Sequence, residues 1–408
     1  MLNVEWIQHA VGHGGFHTGR GSVGYGAEFN WVFDCGAKKT KALDAFLKTW
    51  STQNPHPIDW LFVSHFDTDH VSGLDTLMSR AIVRDVMVPY VNKGELAFQL
   101  LYEINRGNLR RTFFELIADP AAFFISRGAN RVTFLEAGEP DYEVGDEGLR
   151  REPPVDESGW SSAIYPPPRS LPAPKIKPTC PNEAPQVQHM KCGSYLTVRC
   201  GQFGLLLRPH NASIAQPDHT GLLRQLRGLV GAFSPRKGRP GLGNLAFAIA
   251  LHARTAKGRV ELRNVFKSHV GSSNRSSLSL LSMPQIWGGS SCRWIRSPSH
   301  LCNFESGIPA WLNTGDAELL NANDLADWKR FYGSMLDRVQ VLALPHHGSD
   351  RNSDAALQAL CPDALLTAHV KAGASKHPGL DVKTFAGKRL TCVTEHSGSE
   401  VRLTCYSP

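Results

Sequence analysis

Two imidazoles and two carboxylates fall within six positions of this chain, in the run Ser64-His65-Phe66-Asp67-Thr68-Asp69-His70. The run follows the apolar stretch Ile58-Asp59-Trp60-Leu61-Phe62-Val63, which reads as a buried strand entering a turn. Four side chains able to hold a metal therefore sit at the exposed end of one strand. Nitrogen and carboxylate donors without a thiolate suit zinc, manganese or iron, and each added carboxylate favours the harder ions. Two further groups of this kind stand at strand ends. Pro309 to Asp316 reads as a strand closing on Thr314-Gly315-Asp316, and Val339 to Leu344 delivers Pro345-His346-His347-Gly348-Ser349. Asp316 has two readings, a metal-bridging carboxylate or the N-cap of a helix starting at Ala317.

His65 to His70 has the spacing His-x-Asp-x-Asp-His. It resembles the metallo-β-lactamase signature His-x-His-x-Asp-His, with Asp67 where the second His usually stands. Followed in order by Thr-Gly-Asp and Pro-His-His-Gly-Ser, it resembles the branch typified by the hydrolase domain of the DNA-uptake protein ComEC. The resemblance implies an α/β fold, the metallo-β-lactamase αββα sandwich, with the metals at one edge. It further implies two divalent ions, zinc or manganese, held by His65, Asp67, Asp69, His70, Asp316 and His347. These would activate a water for attack on phosphorus or a carbonyl carbon. Asp69 would orient that water. One of His346 and His347 would bind metal and the other protonate the leaving oxygen; we assign His347 to the metal and His346 to the proton.

Four residues are expected to stand behind the ligands or touch the substrate. Asp34 occupies the place of the superfamily's first acidic motif residue, which orients a ligand His. Asn274 and Ser277 match the Asn and following Ser of the ComEC-like branch, where much of the superfamily has a ligand His. That departure leaves the first metal position short of a donor. His377, in Lys376-His377-Pro378-Gly379, is either a substrate or metal contact or an exposed residue before a helix.

The elements that must carry these groups alternate between strand and helix. Val4 to Gln8, Phe29 to Gly36 and Val83 to Val91 read as strands, as do Asp363 to His369 and Arg389 to Thr394. Leu43, Phe46, Leu47 and Trp50 recur at helical spacing. Further helices are expected from about Gly73, over Gly94 to Asn105 and Leu245 to Ala253, and over Pro120 to Arg127 with Asp119 as its cap. Ser194 to Cys200 and Phe203 to Arg208 bracket Gly201-Gln202 as a hairpin. Gly12 to Gly21, rich in glycine and histidine, is either a flexible loop whose amides and His13 or His17 meet a phosphate, or a hairpin end with solvated histidines.

We expect one domain over residues 1–408 in two halves, 1–143 and 266–408. Between them lie a proline-rich insertion at 144–185 and a basic region at 186–265 that includes Arg236, Lys237 and Arg239. The prolines exclude regular helix and central strand, so the insertion reads as an exposed loop or a segment that docks a regulatory protein or a protease. No apolar run approaches the roughly 18 residues of a membrane span, and nine scattered cysteines without a Cys-x-x-Cys pair fit free thiols in a reducing compartment. A cytoplasmic protein follows. The net charge of +7 favours a polyanionic partner. The expected activity is metal-dependent hydrolysis of a phosphodiester, with DNA as the substrate. The alternatives are a small-molecule esterase or phosphodiesterase of the phosphorylcholine-esterase type, or a non-catalytic binding module.

Overall fold

In the computed structural model of the chain, the residues described are 1–24, 26–107, 110–138, 159–171, 185–211, 220–230, 242–268, 277–286, 292–298, 304–320 and 322–407. In chain order the strands are β1 (Leu2–Gln8), β2 (Gly14–Val23), β3 (Ala27–Ala37), β4 (Ile58–Phe62), β5 (Val83–Pro89), β6 (Arg131–Leu135), β7 (Ser161–Tyr165), β8 (Arg169–Leu171), β9 (Gln186–Met190) and β10 (Tyr195–Cys200). They continue with β11 (Phe203–Asn211), β12 (Leu278–Ile286), β13 (Arg293–Ser297), β14 (Glu305–Ser306), β15 (Ala310–Asn313), β16 (Val339–Ala343), β17 (Leu365–His369), β18 (Leu390–Val393) and β19 (Val401–Ser407). The helices are α1 (Thr40–Gln53), α2 (Thr68–Val71), α3 (Leu74–Met78), α4 (Lys93–Arg106), α5 (Arg111–Ala118) and α6 (Pro120–Ile125). After them come α7 (Thr220–Val230), α8 (Leu242–Ala253), α9 (Ala256–Ser268), α10 (Ala322–Tyr332), α11 (Ala355–Ala359) and α12 (Leu380–Ala386).

The strands form two sheets, ordered β14-β13-β19-β1-β2-β3-β4-β5-β6-β9-β8 and β18-β17-β16-β15-β12-β11-β10-β7. Alternation along each strand explains why they stack. Trp31, Phe33, Trp60 and Phe62 of the first sheet point toward Leu280, Trp311, Val341 and Leu365 of the second, and together they form the core between the sheets. Their chain neighbours Val32 and Leu61 face outward onto α1 and the other helices of the first sheet. Leu281, Leu312, Leu342 and Leu366 face outward onto the C-terminal helices. Each sheet is apolar on both faces, so each needs a helical cover, and the αββα sandwich results. Strands β3, β4 and β5 run parallel, as do β15, β16, β17 and β18. Their C-terminal ends supply the site.

Helix α1 buries Leu43 and Leu47, with Phe46 and Trp50 packed beside them. Asp119 caps α6, its side chain accepting from the Ala122 N–H at 2.9 Å. Gly12 to Gly21 is not a loop: only the residues before Gly14 lie outside β2. Gly14, Gly15 and Gly19 serve the close approach of β3. A Cβ at Gly19 would stand 2.0 Å from the Trp31 ring, so the indole needs a bare backbone beneath it. Nor does a helix begin at Ala317; α10 starts at Ala322, and the Asp316 N–H is held by Ser277 instead.

The proline-rich segment also differs from a surface loop where it is described. Its residues 161–165 form β7 at the edge of the second sheet, and 169–171 form β8 at the edge of the first. Neither strand contains a proline; Pro166, Pro167 and Pro168 lie in the connection between them, which reconciles the composition with strand. The basic region contributes β9, β10 and β11 to the sheets. Its helices α7, α8 and α9 pack on α4 and α5, with the Phe98 and Phe266 rings 5.1 Å apart. Arg236, Lys237 and Arg239 lie outside the described residues. Arg106 ends α4 and Arg111 begins α5, and they pair with Glu103 at 3.7 Å and Glu115 at 2.7 Å. The cysteines among the described residues are free thiols, and Cys392 is the exposed one. Among the described residues no helix is long and apolar enough to cross a membrane.

Candidate metal centre

Strand β4 ends at Phe62, and the chain turns through Ser64 into the short helix α2, whose first turn carries Asp69 and whose last carries His70. This turn is fixed from behind by Asp34, which sits inside β3 where its pairing with β2 skips a residue, with φ at 58°, a left-handed conformation that costs a residue with a Cβ. Asp34 Oδ1 accepts the Ser64 N–H at 2.7 Å. Its Oδ2 accepts the Ser64 hydroxyl and the His70 Nδ1–H, each at 2.7 Å. With its own hydrogen given to Asp34, the Ser64 oxygen accepts from His65 Nδ1 at 2.9 Å. Both imidazoles therefore spend Nδ1 on the support and turn Nε2 toward the site. Each Nε2 is buried without a hydrogen-bond partner. That is the tautomer a metal-binding histidine requires.

Asp316 faces them from the end of β15. Its Oδ2 lies 3.5 Å from His65 Nε2 and its Oδ1 3.2 Å from His70 Nε2. The preceding Gly315, at φ 55°, permits this approach: a Cβ there would fall 2.4 Å from Ser277 Oγ and 2.7 Å from Ser64 Cβ. Ser277, buried just before β12, accepts the Asp316 N–H at 2.9 Å, and the Thr314 hydroxyl donates to the Ala343 carbonyl at 2.6 Å. His65, His70 and Asp316 thus form one group whose donor atoms all lie within 4.8 Å of one another.

A second group with the same limit joins His13, Asp69 and His347. Asp69 Oδ2 is 3.4 Å from His13 Nε2 and 3.5 Å from His347 Nε2. His347 arrives on a backbone in which His346, His347 and Gly348 all take positive φ, 48°, 59° and 76°. The His346 N–H donates to the Gly315 carbonyl at 3.1 Å, which ties this turn to the Asp316 turn. His346 points its Nδ1 at Asp316 Oδ2, 3.3 Å away, with a third of its side chain exposed, whereas His347 is buried. His377 stands beside the second group, 5.8 Å between ring centres from both His13 and His346.

The charges are strongly coupled. Burial alone would raise the Asp316 carboxyl, but His70, His65 and His346 outweigh it and hold the group well below the usual carboxylate range. Asp69 is held down in the same way, by His347, His70 and Lys38 against burial. Burial would lower His70, yet Asp316 and Asp34 push it well above its ordinary value. Burial and neighbouring His70 bring His65 to about 4, and burial with His347 and Lys38 brings His13 to about 2.

Two carboxylates ionised against their burial, facing imidazole nitrogens that have no other partner, make a donor set that fits divalent cations. Each group offers two imidazoles to one carboxylate, which suits borderline ions such as zinc as well as manganese. Lys38 Nζ lies 3.6 Å from Asp69 Oδ2 and contacts His13 Nε2. A cation held there displaces a flexible, half-exposed side chain.

Of the residues expected from sequence, His65, His70 and Asp316 come together, as do Asp69 and His347. Asp34 and Ser277 stand behind them. Asp67 is buried next to them but belongs to neither group; burial, with Asp69, Asp316 and Glu103 nearby, pushes its carboxyl well up. Asn274 lies outside the described residues. His210 packs on Phe331 with ring centres 4.4 Å apart and is core, and His17 is buried against Trp311. Sequence reasoning left His13 open and passed over Ser64 and His369. The available signals were the glycines flanking His13, the place of Ser64 directly before the motif, and the place of His369 at the end of a parallel strand. His369 is partly buried near His347 and His70, and burial first, then those imidazoles, lowers it to about 3.

Residues 23–148 match the family model described as the Metallo-beta-lactamase superfamily. Among solved structures, the chain is similar to a long form RNase Z from yeast at 7% identity and a TM-score of 0.33. The match covers 90% of this chain and 36% of that one, so this chain spans about a third of that protein's length. It is also similar to the metallo-β-lactamase MIM-1 from Novosphingobium pentaromativorans, at 11% identity and a TM-score of 0.25, covering 94% of this chain and 89% of that one. A B3 metallo-β-lactamase with an active-site glutamic acid gives 11% identity, a TM-score of 0.26 and the same two coverages. No curated protein matches the chain. Two sheets with helices on both outer faces agree with the metallo-β-lactamase fold, and residues 23–148 are the stretch that matches the model of that superfamily.

Proposed function

We propose that this protein is a metal-dependent phosphodiesterase of the ComEC-like branch that cleaves nucleic acid, DNA foremost. The observation that carries the reading is the pair of adjoining groups, His65-His70-Asp316 and His13-Asp69-His347, set side by side at one edge of the sandwich. Two sites of two imidazoles and one carboxylate, linked through the turns of Gly315 and His346, suit a pair of divalent ions, zinc or manganese. When bound, such ions supply a Lewis acid and an acidified water.

The chain's own residues do the rest. Asp34 and Ser64 lock the tautomers of His65 and His70, so that no reorientation is needed when charge develops. Asp69, ionised and placed in the second group, orients the attacking water. His346 is the imidazole of the cluster that reaches the open face while touching Asp316, which suits it to pass a proton to the departing oxygen. The net charge of +7 favours a polyanion over a neutral ester.

The test is hydrolysis of plasmid, linear and single-stranded DNA, RNA and bis(p-nitrophenyl) phosphate, with manganese, zinc or chelator, beside the Asp69→Ala variant. Cleavage is expected with metal, absent with chelator and lost in the variant. No turnover of any phosphodiester with either ion would overturn the reading, as would full cleavage by a variant that no longer binds metal.

A further inference from the structure

A cleft of about 320 Å³ opens beside the second metal-ligand group, and we infer that it is a subsite for a second phosphate of the substrate, next to the one being cleaved. The inference rests on the phosphodiesterase reading and names what that reading leaves open: a substrate carrying at least two phosphates, as a nucleotide chain does and a simple diester does not.

Four lysines line the cleft against one carboxylate. Lys38 and Lys39 come from the turn after β3, Lys371 and Lys376 from the loop between β17 and α12, and Glu395 from the turn after β18. His13 and His377 form the wall shared with the metal centre, and Lys38 spans the two, its Nζ 3.6 Å from Asp69 Oδ2. Glu395 is already engaged. It takes Lys39 at 2.8 Å and the Ala372 N–H at 2.8 Å, which clamps the two walls together and leaves Lys371 and Lys376 without a carboxylate. Lys371 and Lys376 are exposed and make no ion pair among the described residues.

Like charges gathered in one concavity repel each other, and they are favourable there only when an anion enters. A larger cavity of about 430 Å³ on the β1–β3 face is different. There Glu5 pairs with Arg20 and Arg402, and Glu28 with Arg20 and His56, so its charges satisfy one another. Lysine ammonium groups on flexible stems take a phosphate as point charges and read no base, which suits a subsite that tracks a backbone.

The probes are p-nitrophenyl esters of thymidine phosphate that carry, or lack, a second phosphate on the far side of the sugar. They are compared in the wild-type protein and in the Lys371→Glu/Lys376→Glu variant with manganese present. The wild type is expected to prefer the doubly phosphorylated ester by roughly tenfold in kcat/KM, a preference that falls as salt rises. In the variant the ratio should drop to about one or below. Equal turnover of both esters by the wild type, or a preference that survives the charge reversal, overturns the subsite while leaving the phosphodiesterase reading intact. If neither ester is turned over, the nucleic-acid assays above decide the phosphodiesterase reading, and calorimetry with inorganic phosphate on the chelator-treated protein decides the cleft alone. Binding that the double variant loses upholds it, and no binding by the wild type refutes it.

Discussion

Replacing Gly315 by alanine should damage fold and metal centre together, and by an amount that the geometry sets. Gly315 takes φ 55°, where a residue with a Cβ pays about 1–2 kcal/mol. The new methyl would also stand 2.4 Å from Ser277 Oγ and 2.7 Å from Ser64 Cβ, both buried. Neither neighbour can yield freely, because Ser277 holds the Asp316 N–H and Ser64 bridges Asp34 and His65. Overpacking of this kind costs about 1–3 kcal/mol. Gly201→Ala provides the control, since Gly201 takes nearly the same φ of 59° in the β10–β11 turn with nothing within 4 Å of the added Cβ. Denaturant unfolding of both variants should show Gly315→Ala less stable than wild type by about 2–5 kcal/mol in all, and less stable than Gly201→Ala by the packing share. Displacing Ser64 and Ser277 disturbs the supports of His65 and Asp316, so divalent affinity should fall by roughly 10- to 100-fold in Gly315→Ala and stay unchanged in Gly201→Ala. Equal stability of the two variants, with wild-type metal affinity in both, would refute the account of how the three turns interlock.

Three other outcomes follow from the same geometry. Asp69→Asn should lose divalent affinity by more than about a hundredfold, and Asp67→Asn by less than about tenfold, because Asp69 belongs to a metal-ligand group and Asp67 does not; isothermal titration with manganese checks this, and the reverse order sinks it. Saturating divalent metal at about a hundred times its dissociation constant should stabilise the protein by about 2.7 kcal/mol over the chelated form, and superimposable unfolding curves would count against a metal centre. The Glu395 carboxyl is pushed from 4.5 down to about 2, first by Lys39 and then by the Ala372 N–H. A depressed acid stabilises the fold above its unfolded pKa and loses that contribution as pH falls through the folded one, so Glu395→Gln should show a shallower acid limb between pH 4.5 and 2 in a circular-dichroism titration. Parallel profiles would remove the role given to this ion pair.

The parts of the fold legible in the sequence were those fixed by local pattern. Alternation in β3 and β16, the helical spacing of Leu43 and Leu47 and the Asp119 cap depend on neighbours within a turn or two, and the strands and helices lie where that pattern puts them. What local pattern cannot encode is the partner across the sandwich. Gly14 to Val23 looks like a loop until Trp31 is known to lie beneath Gly19. Residues 161–165 and 169–171 look like proline-rich linker until the two sheet edges are there to receive them. The site divides the same way. The residues within a short motif, His65, Asp69, His70, Asp316 and His347, could be singled out in advance. His13 could not be assigned, since it joins Asp69 and His347 only through the pairing of β2 with β3 and the meeting of the two sheets. Asp67 shows the converse: its spacing marks it as a ligand, but the sharp turn into α2 leaves it outside both groups.

That division of the centre between distant segments has a temporal side. Roughly 280 residues separate His70 from His347, and Asp316 lies near the far end of that interval. A ribosome adding about 5–20 residues per second takes on the order of a quarter-minute to a minute to cover it. Through that interval the nascent chain already displays His65, Asp69 and His70 but lacks the carboxylate and imidazole that complete either group. Both metal-ligand groups are therefore completed late, by residues from the C-terminal third of the chain. A chain truncated before Asp316 lacks a member of each group, however well its first half folds.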